Sequence, residues 1–166
     1  ALNIGSKKSG CFHNSGEGGL SPYHKSGADI VFSFGTGYFG VRNDDGTFAM
    51  DKLVKLTKDH DYIRAIEVKL SQGAKPGKGG VLPGAKVTKE ISEIRHIPVG
   101  TSALSPTHHS VFGNVVEMVE FIEDVANQTG LPVGFKSAVG KMGMWIELAD
   151  YMLKTGKGPD FIAIDG

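Results

Sequence analysis

The chain has 166 residues, of which 40% are apolar and 22% charged, a composition typical of a soluble globular protein with one sizeable core. Its 18 lysines and arginines balance 18 aspartates and glutamates, so no overall positive charge is available to attract nucleic acid. Cys11 is the only cysteine, which excludes an intrachain disulfide and an iron–sulfur cluster held by this chain alone.

The first segments are short. Residues 1–10 predict the last turns of a helix, because two lysines stand where a helix C-terminus favours cations and Gly10 suits the cap. This helix has no N-cap, so we expect it to begin before residue 1, in sequence that the chain lacks. A short strand starting at residues 11–12 is predicted to lead into the glycine-rich loop 13–19, in which Glu17 is the only charge.

Strands and helices then alternate along the chain. The alternation, with glycine-rich loops after strands, predicts a parallel α/β protein. A turn is expected at residues 44–46 and an irregular stretch at 98–113. Asn114 is predicted to cap a helix that ends at Gly130, with one apolar stripe along it. Strands are predicted at residues 29–34, 63–70, 132–136 and 160–164, and helices at 50–60, 88–97, 115–129 and 144–155, the last with Ile146, Leu148, Ala149 and Met152 facing inward.

The stretch from residue 66 to residue 84, IEVKLSQGAKPGKGGVLPG, begins as a buried strand and continues as an unusual loop. Glycines allow backbone N–H groups to approach a ligand closely, prolines restrict the loop, and lysines add positive charge. This combination suits an anionic ligand, either a phosphate or a dicarboxylate, although a solvated loop is the simpler alternative. The residues concerned are Lys69, Lys75, Lys78, Gly73, Gly77, Gly79, Gly80, Gly84, Pro76 and Pro83.

Two motifs give the loop a more specific interpretation. QGAKPG followed by GGVLPGAKV, together with HNSGEGGLSP at residues 13–22, resembles the FMN-binding synthase domain of the glutamate synthase family. The resemblance implies a (β/α)8 TIM barrel. Because such a barrel usually needs ~250 residues, residues 1–166 would form one incomplete, central portion of it. Alone, this portion is expected not to form a stable flavin-loaded monomer, since its edge strands would be unpaired.

The resemblance also implies a reaction and a set of site residues. In this family 2-oxoglutarate condenses with ammonia to 2-iminoglutarate, which is reduced to L-glutamate by hydride from reduced FMN. The matching positions are Glu17 and Lys75 for catalysis, Lys69, Gln72, Lys75 and Arg95 for the keto-acid, and Lys136 and Gly73 for the cofactor. Without the resemblance, several of these residues would be interpreted as ordinary surface groups.

Two positions in the loop depart from the long multidomain members of the family. Val81 stands where a glutamine is expected and Lys78 where a glutamate is expected. The shorter stand-alone FMN-binding relatives have this loop as it appears here, and the chain resembles them most. The departures permit one alternative, a related amine and keto-acid synthase such as an N-methylglutamate synthase subunit. A second alternative, which does not depend on them, is a non-catalytic anion-binding fragment that keeps the loops without holding flavin.

The remaining expectations concern partners, metals and location. Ammonia would arrive free or derived from glutamine, and electrons from a donor protein or an NAD(P)H-linked subunit. An iron–sulfur cluster could come only from sequence outside this chain. Adjacent histidines, His108 and His109, cannot both face one metal on a regular element, so no metal site is expected. No apolar run approaches the roughly 20 residues that span a bilayer and no signal peptide is evident, so we expect a cytoplasmic protein without a membrane span.

Overall fold

A computed structural model describes residues 1–75 and 78–166, and within them the chain forms five α-helices and seven strands. The helices are α1 (Leu2–Ser9), α2 (Met50–Asp59), α3 (Lys89–Arg95), α4 (Val115–Thr129) and α5 (Gly143–Thr155). The strands are β1 (His13–Asn14), β2 (Ile30–Phe34), β3 (Ile63–Lys69), β4 (Gly80–Leu82), β5 (Ala103–Ser105), β6 (Val133–Ser137) and β7 (Ile162–Ile164).

Five of these strands form one parallel sheet in the order β1-β2-β3-β6-β7. The sheet curls into part of a barrel, with helices following the strands along its outside. The α/β class predicted from the alternation of elements is therefore confirmed. Because all five strands run in the same direction, their carboxyl ends lie along one edge of the sheet, where parallel sheets and barrels hold their ligands.

The outer face of the sheet, which packs against the helices, carries the apolar core. Phe32, Phe34, Ile66, Val68 and Phe135 are all fully buried in one cluster. Helix α4 packs against α2, α5 and β6, and its predicted apolar stripe is confirmed as buried. The stripe consists of Val115, Met118, Val119, Ile122 and Val125.

The inner face of the sheet, on the other side of the same strands, is polar toward the carboxyl edge. Strand register places Ser33 beside Glu67, and Glu67 beside Gly134. Two residues nearer the edge, Lys69 of β3 lies beside Lys136 of β6. Since side chains alternate between the faces with a period of two, the same strands supply both the apolar outer face and the polar inner face.

Strands β4 and β5 form a separate antiparallel pair, called here the ribbon. The prediction of irregular structure throughout residues 98–113 was wrong at β5. Each ribbon strand has only three residues, too few to show a convincing alternation. The ribbon rests on a second small core formed by Phe39, Val87, Ile97 and Ala103.

The predicted inward face of α5 was largely wrong. Leu148 is buried as expected, but Ala149 is exposed, Ile146 is 58% exposed and Met152 is 36% exposed. Partly buried neighbours of Leu148 lie three and four positions away along the helix, where side chains share a face. These neighbours are Met144, Trp145 and Tyr151. The contact stripe is therefore centred on Leu148, and the predicted stripe was rotated away from it.

Near the start of the chain one local expectation is confirmed and one is shifted. Gly10 ends α1 in the left-handed conformation with φ 68°, which favours glycine. The strand expected to start at residues 11–12 instead lies at His13–Asn14, and Phe12 is 61% exposed. No helix in the described ranges is long and apolar enough to cross a membrane.

Candidate functional site

Loops that follow the parallel strands gather at the carboxyl edge and form a small pocket. Together with the ribbon they bring together side chains up to ninety positions apart in the sequence, because adjacent parallel strands end side by side. The pocket has a volume of about 40 Å³ and opens to solvent. Its polar lining includes Glu17, Thr36, Lys69, Gln72, Lys75, Lys78, Ser105 and Thr107.

Lys69 lies at the centre of this pocket. Its Nζ donates to Gln72 Oε1 at 2.7 Å and lies 3.0 Å from Glu17 Oε1, forming an ion pair. The side chain of Lys69 is only 15% exposed, whereas that of Glu17 is 40% exposed. Gly35 gives the Glu17 carboxylate room, because a Cβ there would collide with it. The structure thus brings three predicted site residues into direct contact.

Lys75 lines the same pocket without a carboxylate partner in the described part of the chain. Its Nζ donates a long hydrogen bond, 3.4 Å, to the carbonyl of Gly79. Lys78 also lines the pocket and adds a third positive charge, after Lys69 and Lys75. The predicted loop residues Pro76 and Gly77 lie outside the described residues.

Arg95, at the end of α3, lies outside the pocket lining. Its Cζ is 4.9 Å from the centroid of the Phe39 ring, a cation–π distance, and its guanidinium lies beside Gly18, next to Glu17. Arg95 forms no ion pair within residues 1–75 and 78–166. Arg42 approaches the same ring at 5.5 Å, and burial lowers the pKa of its guanidinium.

Lys136, at the end of β6, already has a protein partner. Its Nζ lies 3.0 Å from Asp165 Oδ2, and the pKa of Asp165 is lowered first by this hydrogen bond and then by one from the Gly73 backbone. A Cβ on Gly73 would collide with the backbone of Gly166. Gly73 is therefore needed for close packing of this loop against the end of β7, a reason that the sequence did not suggest.

A larger cavity lies beside this ion pair, at the carboxyl ends of β6 and β7. Its volume is about 510 Å³, within the usual range for small-molecule sites of ~300–1,000 Å³. Its lining combines an indole, small apolar groups and glycines with the Asp165 carboxylate. The lining includes Gly73, Ser137, Val139, Gly140, Lys141, Met144, Trp145 and Asp165.

His109 was missed as a site residue. It is 3% exposed, its Nε2 lies 2.9 Å from the Lys69 carbonyl oxygen, and its Nδ1 lies 3.2 Å from the Tyr38 hydroxyl. Burial lowers its pKa below the ordinary value, which favours the neutral ring. His108, directly before it, is exposed. The adjacent histidines were considered only as metal ligands, whereas His109 fixes the backbone of Lys69.

Glu67 was also missed, although the sequence contains a signal for it. A glutamate inside the apolar strand IEVK is unusual, and the structure buries it to 4% exposure on the inner face. Its Oε1 accepts hydrogen bonds from Asn14 and Ser33. Among the described residues, no three His, Cys, Asp or Glu side chains are grouped so that they could hold a metal ion.

Comparison with known proteins extends these observations. The sequence profile of one family, described as a conserved region in glutamate synthase, matches residues 1–166. The chain is 45% identical over 158 residues to the glutamate synthase large subunit-like protein YerD of Bacillus subtilis, covering 95% of this chain and 30% of that protein.

More distant relatives carry related names. The archaeal-type glutamate synthase [NADPH] of Thermotoga neapolitana is 38% identical over 164 residues, covering 95% of this chain and 28% of that protein. The glutamate synthase [NADPH] large chain of Azospirillum brasilense is 32% identical over 132 residues, covering 75% of this chain and 8% of that protein. The chain thus spans less than a third of the length of these relatives.

Proposed function

The chain belongs to the glutamate synthase family, and we propose that it is the central part of a (β/α)8 barrel that reduces 2-iminoglutarate to L-glutamate with FMN bound. The imine would form from 2-oxoglutarate and ammonia. The observation that carries this proposal is the pocket at the carboxyl edge, which is lined by the Glu17–Lys69 ion pair and by Lys75, for which the described residues provide no carboxylate partner. Residues 1–166 would form a single partial domain.

Three cations are available to bind the carboxylates of 2-oxoglutarate. Lys75 and Lys78 line the pocket, Arg95 lies just outside its lining, and none of the three has an ion-pair partner in the described ranges. Lys69 and Lys136 are already paired. A dicarboxylate needs two cationic anchors, and an arginine can bind one carboxylate through two hydrogen bonds. Because this pocket of about 40 Å³ is smaller than such a ligand, part of the substrate would extend beyond it into the solvent.

Glu17 and Lys75 have the chemistry that imine formation requires. The Glu17 carboxylate can accept a proton from ammonium, releasing ammonia as the nucleophile. Lys69 and Gln72 fix the orientation of this carboxylate through their hydrogen bonds. The Lys75 ammonium can donate a hydrogen bond to the keto oxygen, which leaves as water when the imine forms.

FMN would supply the hydride that reduces the imine. The cavity of about 510 Å³ at the ends of β6 and β7 fits a flat aromatic ring system, because it has a suitable volume and an indole in its lining. Lys136, at the end of β6, is paired with Asp165 of the cavity lining and would bring positive charge to the flavin by exchanging that partner for the cofactor. Gly73 borders this cavity, although the contact that its missing Cβ permits is with Gly166.

The departure at Val81 has little effect on the pocket in this structure. Val81 is 69% exposed, lies opposite Leu104 in the ribbon and is not part of the pocket lining. Lys78 does line the pocket, and its positive charge favours a dianionic substrate. Lys78 therefore supports an acidic substrate, whereas Val81 does not distinguish between substrates.

The proposal is tested on the full-length protein. We expect a flavin absorbance spectrum, or uptake of added FMN, and reductive amination of 2-oxoglutarate with ammonia. The assay is repeated with methylamine and with several 2-oxo acids. A preference for methylamine would indicate the N-methylglutamate type of synthase, and a protein that neither contains nor takes up flavin would be an anion-binding module.

A further inference from the structure

We propose that Glu67 is a positioning residue that holds the loop carrying Glu17 in place, an inference that rests on the proposed role of Glu17. Glu67 lies on the inner face of β3 and is 4% exposed. Its Oε1 accepts hydrogen bonds from Asn14 Nδ2 at 3.0 Å and from Ser33 Oγ at 2.8 Å. One carboxylate of β3 is therefore joined to side chains of both β1 and β2.

These two donors continue the network into the loop. Asn14 Oδ1 accepts a hydrogen bond from the Gly16 backbone N–H at 2.8 Å. The Ser33 backbone N–H donates to Ser15 Oγ at 2.8 Å. Gly16 adopts the left-handed conformation with φ 67°, which glycine accommodates without strain. Gly16, directly before Glu17, is thus held by a side chain that Glu67 organises, and Ser15 is held by the backbone of the neighbouring strand.

Strand β3 acts on Glu17 at two points. Lys69 follows Glu67 by two positions, so the two side chains share the inner face about 6–7 Å apart along the strand. Lys69 binds the Glu17 carboxylate directly, whereas Glu67 fixes the backbone that carries it through Asn14. Loss of Glu67 would leave the ion pair without its second support, and the position of Glu17 would become variable.

The structure gives Glu67 room for this task. Its neighbours across the sheet are small, Ser33 on one side and Gly134 on the other. A carboxylate in a buried position costs free energy unless hydrogen bonds satisfy it. Both of the donors described here belong to the strands on the Glu17 side of β3, which is the arrangement expected if the carboxylate serves that loop.

The test uses the full-length protein with Glu67→Ala, Glu67→Gln and Asn14→Ala, and Glu90→Ala as a control at an exposed glutamate of α3. Hydrogen exchange is measured on a peptide covering residues 14–19 and on one covering α4. We expect about 10-fold faster exchange in the loop, with α4 unchanged, for Glu67→Ala and Asn14→Ala. Glu67→Gln keeps the acceptor oxygen and should restore most of the protection.

Kinetics give a second readout. Glu67→Ala should raise the KM for ammonia and lower kcat, while the KM for the keto-acid changes less, because Lys75 and Arg95 are not part of the network.

Unchanged loop exchange in both Glu67→Ala and Asn14→Ala would overturn the proposal. If Glu67→Ala does not fold, Asn14→Ala and Ser33→Ala carry the same test. Full activity of Glu17→Gln would overturn the role of Glu17 without affecting the exchange result.

Discussion

The two faces of the parallel sheet differ in what they contribute. On the outer face, Phe32, Ile66 and their neighbours are fully buried against helices. On the inner face, Ser33, Glu67 and Lys69 form hydrogen bonds and an ion pair that reach the loops of the site. Because the two sets alternate along the same strands, one short sequence encodes both the core and the support of the site.

The lysines of the site differ in whether a carboxylate of the protein is bound to them. Lys69 and Lys136 lie side by side at the carboxyl edge, and each is paired with its own carboxylate, Glu17 and Asp165 respectively. Pairing offsets the repulsion that adjacent like charges would otherwise exert. Lys75 is unpaired in the described part of the chain, so its charge is available to a ligand.

The largest effect on stability is expected on the outer face. Phe32→Ala should destabilise the full-length protein by about 3–5 kcal/mol, because it removes a fully buried ring and leaves a cavity. The free energy of unfolding is measured by urea denaturation. Phe12→Ala is the matched control, since that ring is 61% exposed and should matter little. A similar loss in both variants would contradict the assignment of the outer face as the core.

The next effect concerns the unpaired cations. Lys75→Ala and Arg95→Ala should each weaken keto-acid binding by about 1.5–3 kcal/mol, or roughly 10- to 100-fold, because each loses a charge-assisted contact to a carboxylate. Binding is measured by titration with 2-oxoglutarate, and flavin content should stay nearly unchanged. Arg64→Ala, at an exposed position of β3, serves as the control. Normal affinity in both site variants would exclude them as carboxylate anchors.

A smaller effect on keto-acid binding is expected at a paired cation. Lys69→Met should weaken 2-oxoglutarate binding by less than about 10-fold, because the charge of Lys69 is already directed at Glu17. Its main effect should appear in the dependence of the rate on ammonia. Steady-state kinetics with each substrate varied in turn distinguishes the effect on keto-acid binding from the effect on the use of ammonia. A loss of keto-acid affinity equal to that of Lys75→Ala would remove the distinction between paired and unpaired lysines.

The smallest effect is a change in how stability depends on pH. Burial, with a smaller contribution from His108, lowers the folded-state pKa of His109, while the Lys69 carbonyl and Glu17 oppose the shift. The contribution of His109 to stability is therefore fully present above its ordinary pKa of 6.5. It is lost as the pH falls below 6.5 toward the lowered value, because the unfolded chain takes up the proton first.

His109→Gln should reduce this loss of stability. The amide of glutamine can still donate to the Lys69 carbonyl but does not titrate. Urea midpoints measured between about pH 5 and pH 7.5 should show a shallower decline than in the unaltered protein. Part of the decline should remain, since burial also lowers the pKa of His24, His60 and His96. His108→Gln, at the exposed neighbour, should leave the decline unchanged.

The sequence predicted elements whose signals are local. Helix α4 was predicted between its cap at Asn114 and its stop at Gly130, because capping and a regular apolar stripe are encoded within the helix itself. The inward face of α5 was harder to predict from the sequence, because many of its positions are apolar and only tertiary packing determines that Leu148 is the buried one. The ribbon strands were missed because three residues carry too little pattern to predict pairing.

The site was partly predictable for a similar reason. Motifs indicated Glu17, Lys69, Gln72 and Lys75, and the structure places these four in one pocket lining, whereas their roles remain predictions. Contacts between residues far apart in sequence could not be inferred. Asn14 donates a hydrogen bond to Glu67, which is 53 positions away in the sequence, and no local sequence pattern predicts this contact. The bond from His109 to the Lys69 carbonyl, across 40 positions, was hidden in the same way.

The ribbon has a consequence for engineering the protein. It stands on its own small core of Phe39, Val87, Ile97 and Ala103, separate from the core beneath the parallel sheet. Its inner positions, Gly80 and Ser105, form part of the wall around Lys75. A segment exchange that replaces residues 79–105 but keeps Arg95 would therefore reshape the mouth of the pocket while leaving the strands that carry Lys69 and Lys136 in place.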